Sequence, residues 1–198
     1  MKINFPLLAL AVGAFAIGTT EFSPMGFLPE IANDLSVSIP QAGLLISAYA
    51  VGVMIGAPLM TLWLARFPKK TALILLMAIF TIGNVLATVA PDYMSLMGAR
   101  LITSLNHGAF FGLGSVVAAS VVPKDKQASA VAMMFMGLTI ANIGGVPLAT
   151  WLSQNTSWRM AFAAISILGI ITILALWKAL PQDHDVVKLN VAKELRVL

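Results

Sequence analysis

Residues 99–122 read ARLITSLNHGAFFGLGSVVAASVV. The run is long and apolar enough to cross a bilayer as a helix, which takes about 20 residues at 1.5 Å each. It nevertheless carries Arg100, Asn106 and His107. Placing a cation inside a span is costly, so such groups persist where they meet a partner or a water-filled cavity, and they mark a candidate site. Five more spans are expected around this one. The first of them carries a carboxylate, Glu21.

Composition supports that reading. Only 10% of the 198 residues are charged, where a soluble domain has roughly 25%, and the mean hydropathy is +0.93. The apolar runs are helix-length, unlike the ten-residue alternating segments of an outer-membrane barrel. The expected class is an all-α integral membrane protein. There is no cysteine, which excludes thiol catalysis, disulfides and thiolate metal sites. No nucleophile–base set, phosphate loop or metal cluster is present, so no enzyme chemistry, cofactor or metal is expected. The net charge of +4 sits in short loops between apolar runs, so topology explains it better than nucleic acid does.

Six spans are expected at about 5–28, 41–64, 71–90, 94–122, 128–152 and 160–180, within a membrane unit 1–181. Breakers separate them: Pro29 to Pro40, Pro68, Pro91–Asp92, Pro123 to Lys126, and Gln154 to Ser157. Ser38 with Gln41 looks like a capping box opening the second span. The start could be read as a signal peptide with Ala14-Phe15-Ala16 as the cleavage site. The apolar run continues to Leu28, too long for such a segment, so a retained span is the better reading. Residues 182–198 are polar and charged, and are expected to begin a cytoplasmic linker. With the N-terminus inside, the inner loops and tails collect Lys2, Arg66, Lys69, Lys70, Lys124, Lys126, Lys188, Lys193 and Arg196, with Lys178 at the inner end of span six. The outer loops hold Arg159. That asymmetry places both termini in the cytoplasm.

GAPLMT at 56–61 and GVPLAT at 145–150 match at Gly, Pro, Leu and Thr, 89 residues apart. The same offset pairs Lys70 with Arg159 and Ala72 with Ala161. Spans two and five cross in opposite directions, so spans one to three and four to six read as an inverted pair. Such repeats are common in secondary transporters.

Glu21 lies about seven residues inside the expected end of span one, about 10 Å deep. A carboxylate there has a poorly solvated charged form, a property useful to a group that cycles a proton. Pro24 lacks an N–H, so it leaves the Thr20 carbonyl free for another partner. Arg100 lies at the same depth on an antiparallel span, so a Glu21–Arg100 pair is geometrically possible. A static bridge is the competing reading. His107 falls about two turns deeper, and an ordinary imidazole, titrating at about 6.5, suits proton relay. Its alternative is a structural hydrogen bond to Asn106 or a backbone carbonyl. His184 reads as a solvated tail residue. Asn84, Thr139 and Asn142 are candidate cavity polar groups. Gly52 with Gly56, and Gly108 with Gly112, are small-residue pairs that let helices approach closely. MMFM at 133–136 reads as lipid-facing or packing residues.

Three segments carry a family resemblance: TTEFSPMGFLPEIA at 19–32, ITSLNHGAFFG at 102–112 and MGLTIANIGGVPLATWL at 136–152. With the span pattern, the chain resembles the drug/proton antiporter branch of the major facilitator superfamily, and within it bacterial inner-membrane arabinose-efflux-permease-type transporters. The resemblance implies twelve spans in two six-span halves, with this chain as the N-terminal half and a C-terminal half missing. It also implies a substrate cavity lined by spans one and four, and alternating access driven by protonation, here of Glu21. The expected partners are a small solute (sugar, nucleoside or drug), protons and the bilayer. A truncated stub that does not transport, and an intramembrane enzyme using His107 as base, are the rival readings.

The chain departs from the family pattern at three places. The loop between spans two and three usually reads GxxxDRxGRK. Here TLWLARFPKK at 61–70 keeps Arg66, Lys69 and Lys70 but has Ala65 for the acid and Pro68 for the second glycine. Ser104 stands where span four usually has a glycine four residues after its arginine. The span-five motif GxxxGPxxGG keeps Gly137, Gly144 and Gly145 but has Ala141-Asn142 for Gly-Pro.

Overall fold

The computed structural model describes residues 4–181. The expected linker at 182–198, with His184, Lys188, Lys193 and Arg196, lies outside the described residues, as does Lys2. Among the described residues all regular structure is helical. Among these residues six stretches are long and apolar enough to span a membrane. Span one is α1 (Phe5–Gly26), followed by a short α2 (Leu28–Asp34). Span two is α3 (Ile39–Leu64) and span three is α4 (Lys69–Thr88). Span four is broken into α5 (Tyr93–Ser104) and α6 (His107–Ser120). Span five combines α7 (Gln127–Ile140), a π-helical turn (Ala141–Gly145) and α8 (Val146–Asn155). Span six is α9 (Trp158–Ala179).

The helix starts follow from local chemistry. Asn4, Ser38 and Ser157 accept hydrogen bonds from backbone N–H groups three residues on, and Asp92 with Ser95 forms a reciprocal capping box. The segment Pro29 to Pro40, expected to break structure throughout, instead holds α2. Pro29 and Pro40 both lie in the first turn of a helix, where the missing N–H costs nothing. The chain reverses between the two helices at Ser36, whose φ is 53°.

Packing follows the inverted repeat. Span one packs on spans five and six, and span four packs on spans two and three in the corresponding way. Spans three and six pack on each other at the centre of the pattern. Phe80 and Gly169, related by the 89-residue offset, meet there, since a Cβ on Gly169 would stand 3.0 Å from the Phe80 ring. The pair Lys70 and Arg159 also has matching roles. Each sits at the start of one axial helix and caps the end of the other. Lys70 Nζ donates to the Leu180 carbonyl at 2.6 Å, and Arg159 Nη2 donates to the Ala90 carbonyl at 3.0 Å. A cation is disfavoured at a helix N-terminus and favoured beside a C-terminus. The antiparallel pairing of α4 and α9 brings each cation to the end that suits it.

Candidate functional site

Span four is organised by its break. Leu105 N–H donates to the Ile102 carbonyl, a tighter turn than the α-helix, and Phe110 N–H picks up the Asn106 carbonyl at 2.8 Å to restart the helix. Asn106 is fully buried, and its Nδ2 donates to the Thr103 carbonyl at 3.0 Å. It therefore bonds back to its own turn instead of reaching His107. The break lets α5 aim Arg100 and α6 aim His107 into the same interior.

Arg100 is 1% exposed. Its Nη1 donates to the Thr20 carbonyl at 2.8 Å. This is the carbonyl that Pro24 leaves without a helical donor. The guanidinium lies over the Tyr49 ring, 4.2 Å from its centroid. Its Nε and Nη2 have no hydrogen-bond partner among the described residues. The Glu21–Arg100 ion pair allowed by their equal depth is not made. The freed carbonyl and the tyrosine face hold the guanidinium, and Glu21 turns elsewhere.

Glu21 is half-buried, and its Oε2 lies 3.8 Å from His107 Nε2. The other ring nitrogen, His107 Nδ1, is 3.2 Å from the Tyr49 hydroxyl. Tyr49 thus touches both functional candidates of span four, Arg100 through its ring and His107 through its hydroxyl. Sequence reasoning did not single it out. The available signal was a tyrosine in mid-span, away from the membrane interface where such rings usually sit. Asn84, also fully buried, accepts from Thr20 Oγ1 at 2.7 Å and donates to the Phe80 carbonyl at 2.9 Å. The cluster therefore joins span one (Thr20, Glu21), span two (Tyr49), span three (Asn84) and span four (Arg100, His107).

Asn142 and Thr139 do not join it. Both are exposed, and Asn142 Nδ2 bonds back to the Leu138 carbonyl. The π-helical turn directs Ala141 and Gly145 inward instead. In the loop after span two, the Arg66 guanidinium lies near the adjacent rings of Trp63 and Phe67, at 5.3 and 5.5 Å from their centroids. Lys69 and Lys70 open α4.

The glycines divide by what a Cβ would meet. Gly52 lies against Ser104, Gly56 against Leu105, Gly108 against Ala57, Gly137 against the Ala11 carbonyl and Gly145 against Thr19 and Phe15. Gly52 thus accommodates the serine that replaces the usual glycine of span four. Gly112 and Gly144 have nothing within 4 Å among the described residues, so neither lies at a close crossing between these six spans. In the 133–136 run, Met134 is buried and the other three side chains are exposed.

Comparison with known proteins agrees with this architecture. The profile of the Major Facilitator Superfamily matches residues 10–196. The chain is 68% identical to the inner membrane transport protein YdhP of Escherichia coli K12, over 100% of this chain and 51% of that protein. It is 31% identical to a probable sugar efflux transporter of Pasteurella multocida, over 89% of this chain and 44% of that protein. The fold matches the xylose transporter XylE from E. coli with a TM-score of 0.72 at 18% identity, covering 90% of this chain and 48% of that one. The chain spans about half the length of the curated relatives it matches. Six spans in an inverted three-plus-three arrangement, a polar cluster buried between them and a profile match over nearly the whole length make this chain a member of the Major Facilitator Superfamily, a family of membrane transporters and not of enzymes.

Proposed function

We propose that these six spans act as one half of a proton-coupled efflux transporter that moves a small solute by alternating access, with Glu21 as the group that takes up and releases the proton. The observation that carries the reading is the position of Glu21. It is 27% exposed at the edge of a buried polar cluster, and Arg100 forms no ion pair with it. A carboxylate fixed in a static bridge cannot cycle a proton, whereas one held 3.8 Å from an imidazole and open on one side can. His107, hydrogen-bonded to the Tyr49 hydroxyl, extends the cluster inward from Glu21. Arg100 supplies a fixed positive charge next to it. The efflux direction is supported by the sugar efflux relative, and the solute class is a sugar, nucleoside or drug. The second half completes the cavity, and both termini of this half face the cytoplasm, at the bacterial inner membrane.

The test uses a twelve-span transporter carrying this half, reconstituted in vesicles with an imposed pH gradient. Glu21→Gln keeps the shape but cannot exchange a proton. Proton-driven flux, normalised to folded protein, should be lost, while solute binding persists. Wild-type coupling in Glu21→Gln would overturn the assignment.

A further inference from the structure

Span four breaks at Leu105 and Asn106, and one residue of span two lies across the break. Arg100 belongs to α5 before it and His107 to α6 after it. Tyr49 meets both. The Arg100 guanidinium is 4.2 Å from its ring centroid, and its hydroxyl is 3.2 Å from His107 Nδ1. Close crossings fix the backbone of α3 beside the break, Gly52 on Ser104 and Gly56 on Leu105. Tyr49 itself is 2% exposed. A buried hydroxyl proton needs an acceptor. Among the described residues, His107 Nδ1 is the acceptor that the structure places within its reach.

We propose that Tyr49 is a positioning residue for the proton route: its hydroxyl donates to His107 Nδ1 and thereby holds the imidazole proton on Nε2, the atom that faces Glu21. Its role in transport rests on the reading of Glu21 as the proton carrier. In a neutral imidazole one nitrogen donates and the other accepts, and the partner of one fixes the state of the other. The opposite tautomer would leave the Tyr49 proton buried without an acceptor, and would turn the Nε2 lone pair towards Glu21 Oε2. An ionised carboxylate repels a lone pair and attracts an N–H. The Arg100 charge works in the same direction. A cation against the ring face draws electron density from the phenol and makes its O–H a stronger donor. The Nε2–Oε2 distance of 3.8 Å exceeds a hydrogen bond, and a shift of about 1 Å in either side chain closes it. Among the described residues, the titratable side chains that meet His107 are Glu21 of span one and Tyr49 of span two. Its neighbour on its own helix is the Phe111 ring, with centroids 5.1 Å apart, which offers no competing acceptor.

Nitrogen NMR of the full chain in detergent, with isotope-labelled histidine, tests it at about pH 8, where an ordinary imidazole is neutral. His184→Gln identifies the signals of His107. The directly bonded proton should sit on Nε2, and Nδ1 should show the shielding of a nitrogen that accepts a hydrogen bond. Tyr49→Phe keeps the ring beside Arg100 and removes only the hydroxyl, so Nδ1 should lose that shielding. In a twelve-span transporter carrying this half, Tyr49→Phe should slow proton-driven flux about tenfold, the lower end of what orienting partners of a histidine contribute at metal sites. Solute exchange without a pH gradient should be kept, because exchange needs no net proton transfer. The unaltered chain reports the tautomer by itself, so the test stays open if Tyr49→Phe fails to fold. A proton on Nδ1, or on both nitrogens, would overturn the proposal. So would an unchanged Nδ1 signal or wild-type driven flux in Tyr49→Phe. Equal losses of driven flux and exchange per folded protein would mean a packing role only, and would overturn it too. Wild-type coupling in Glu21→Gln alongside the expected ring signals would instead fault the reading of Glu21, with the placement of the His107 proton upheld.

Discussion

At the scale of single residues, the cluster works through partners that proximity in the chain does not reveal. Pro24 removes one N–H, and that loss leaves the Thr20 carbonyl to a cation 80 positions away. The same Thr20 uses its hydroxyl on Asn84, with both residues 0% exposed. A buried acceptor that loses its donor carries its full desolvation cost, about 1–3 kcal/mol. Thr20→Val keeps the shape and removes only that donor. We expect it to lower the thermal stability of the purified protein by an amount in that range. Asn84→Leu in the Thr20→Val background should cost less than Asn84→Leu alone, because the two share one bond. Additive losses would show that the bond contributes little.

At the scale of helices, span five meets span one along Gly137, Ala141 and Gly145. The Cβ of an alanine at 137 would fall 2.0 Å from the Ala11 carbonyl oxygen and 3.0 Å from the Phe15 nitrogen. Both are backbone atoms, so α1 itself has to move. Overpacking of this kind typically costs about 1–3 kcal/mol. Gly137→Ala should therefore lower the melting temperature, while Gly144→Ala, with nothing within 4 Å, should leave it unchanged or raise it slightly. Equal effects at the two positions would argue against a close crossing at Gly137. The π-helical turn between these glycines sets which residues face inward, and it explains why Asn142 points out while Ala141 is buried.

For the whole molecule, the two axial helices are tied at both ends, and the end at Arg159 is sensitive to acid. Asp34 accepts from Arg159 Nη1 and from Trp158 Nε1, joining α2 to the start of α9. The Arg159 hydrogen bond holds the Asp34 carboxyl below its usual range, against some opposing burial and with help from the Trp158 N–H. A lowered folded value means the stabilisation is complete above the unfolded value of about 3.9 and is lost as pH falls through the folded one. The pair is largely exposed, so the effect is small. Melting curves should show an acid-dependent loss below about pH 4, absent from Asp34→Asn. The arrangement of charge predicts the topology as well. Single cysteines at Asn155 and Lys126 lie at opposite ends of span five and should label from opposite sides of the membrane, and labelling from one side would reject that orientation.

Six spans, their helical character and the inverted pairing were legible in the sequence, because membrane insertion demands long apolar helices and a repeat leaves its offset in the chain. The offset that pairs Lys70 with Arg159 is visible in the residue order, and so is the proline that frees a carbonyl. Which group takes that carbonyl was decided by tertiary packing. Equal depth made Glu21 and Arg100 plausible partners, but depth fixes only one coordinate, and helix rotation fixes the other. The Tyr49 ring and the Thr20 carbonyl hold the guanidinium, leaving Glu21 beside His107. Tyr49 itself went unnoticed because a single tyrosine in an apolar span carries no periodic signal. Gly112 and Gly144 have the same local spacing as glycines at close crossings, and only the placement of neighbouring helices separates them. Spacing along a helix is a local property written in the residues. The direction in which each side chain points depends on rotations set jointly by all six spans.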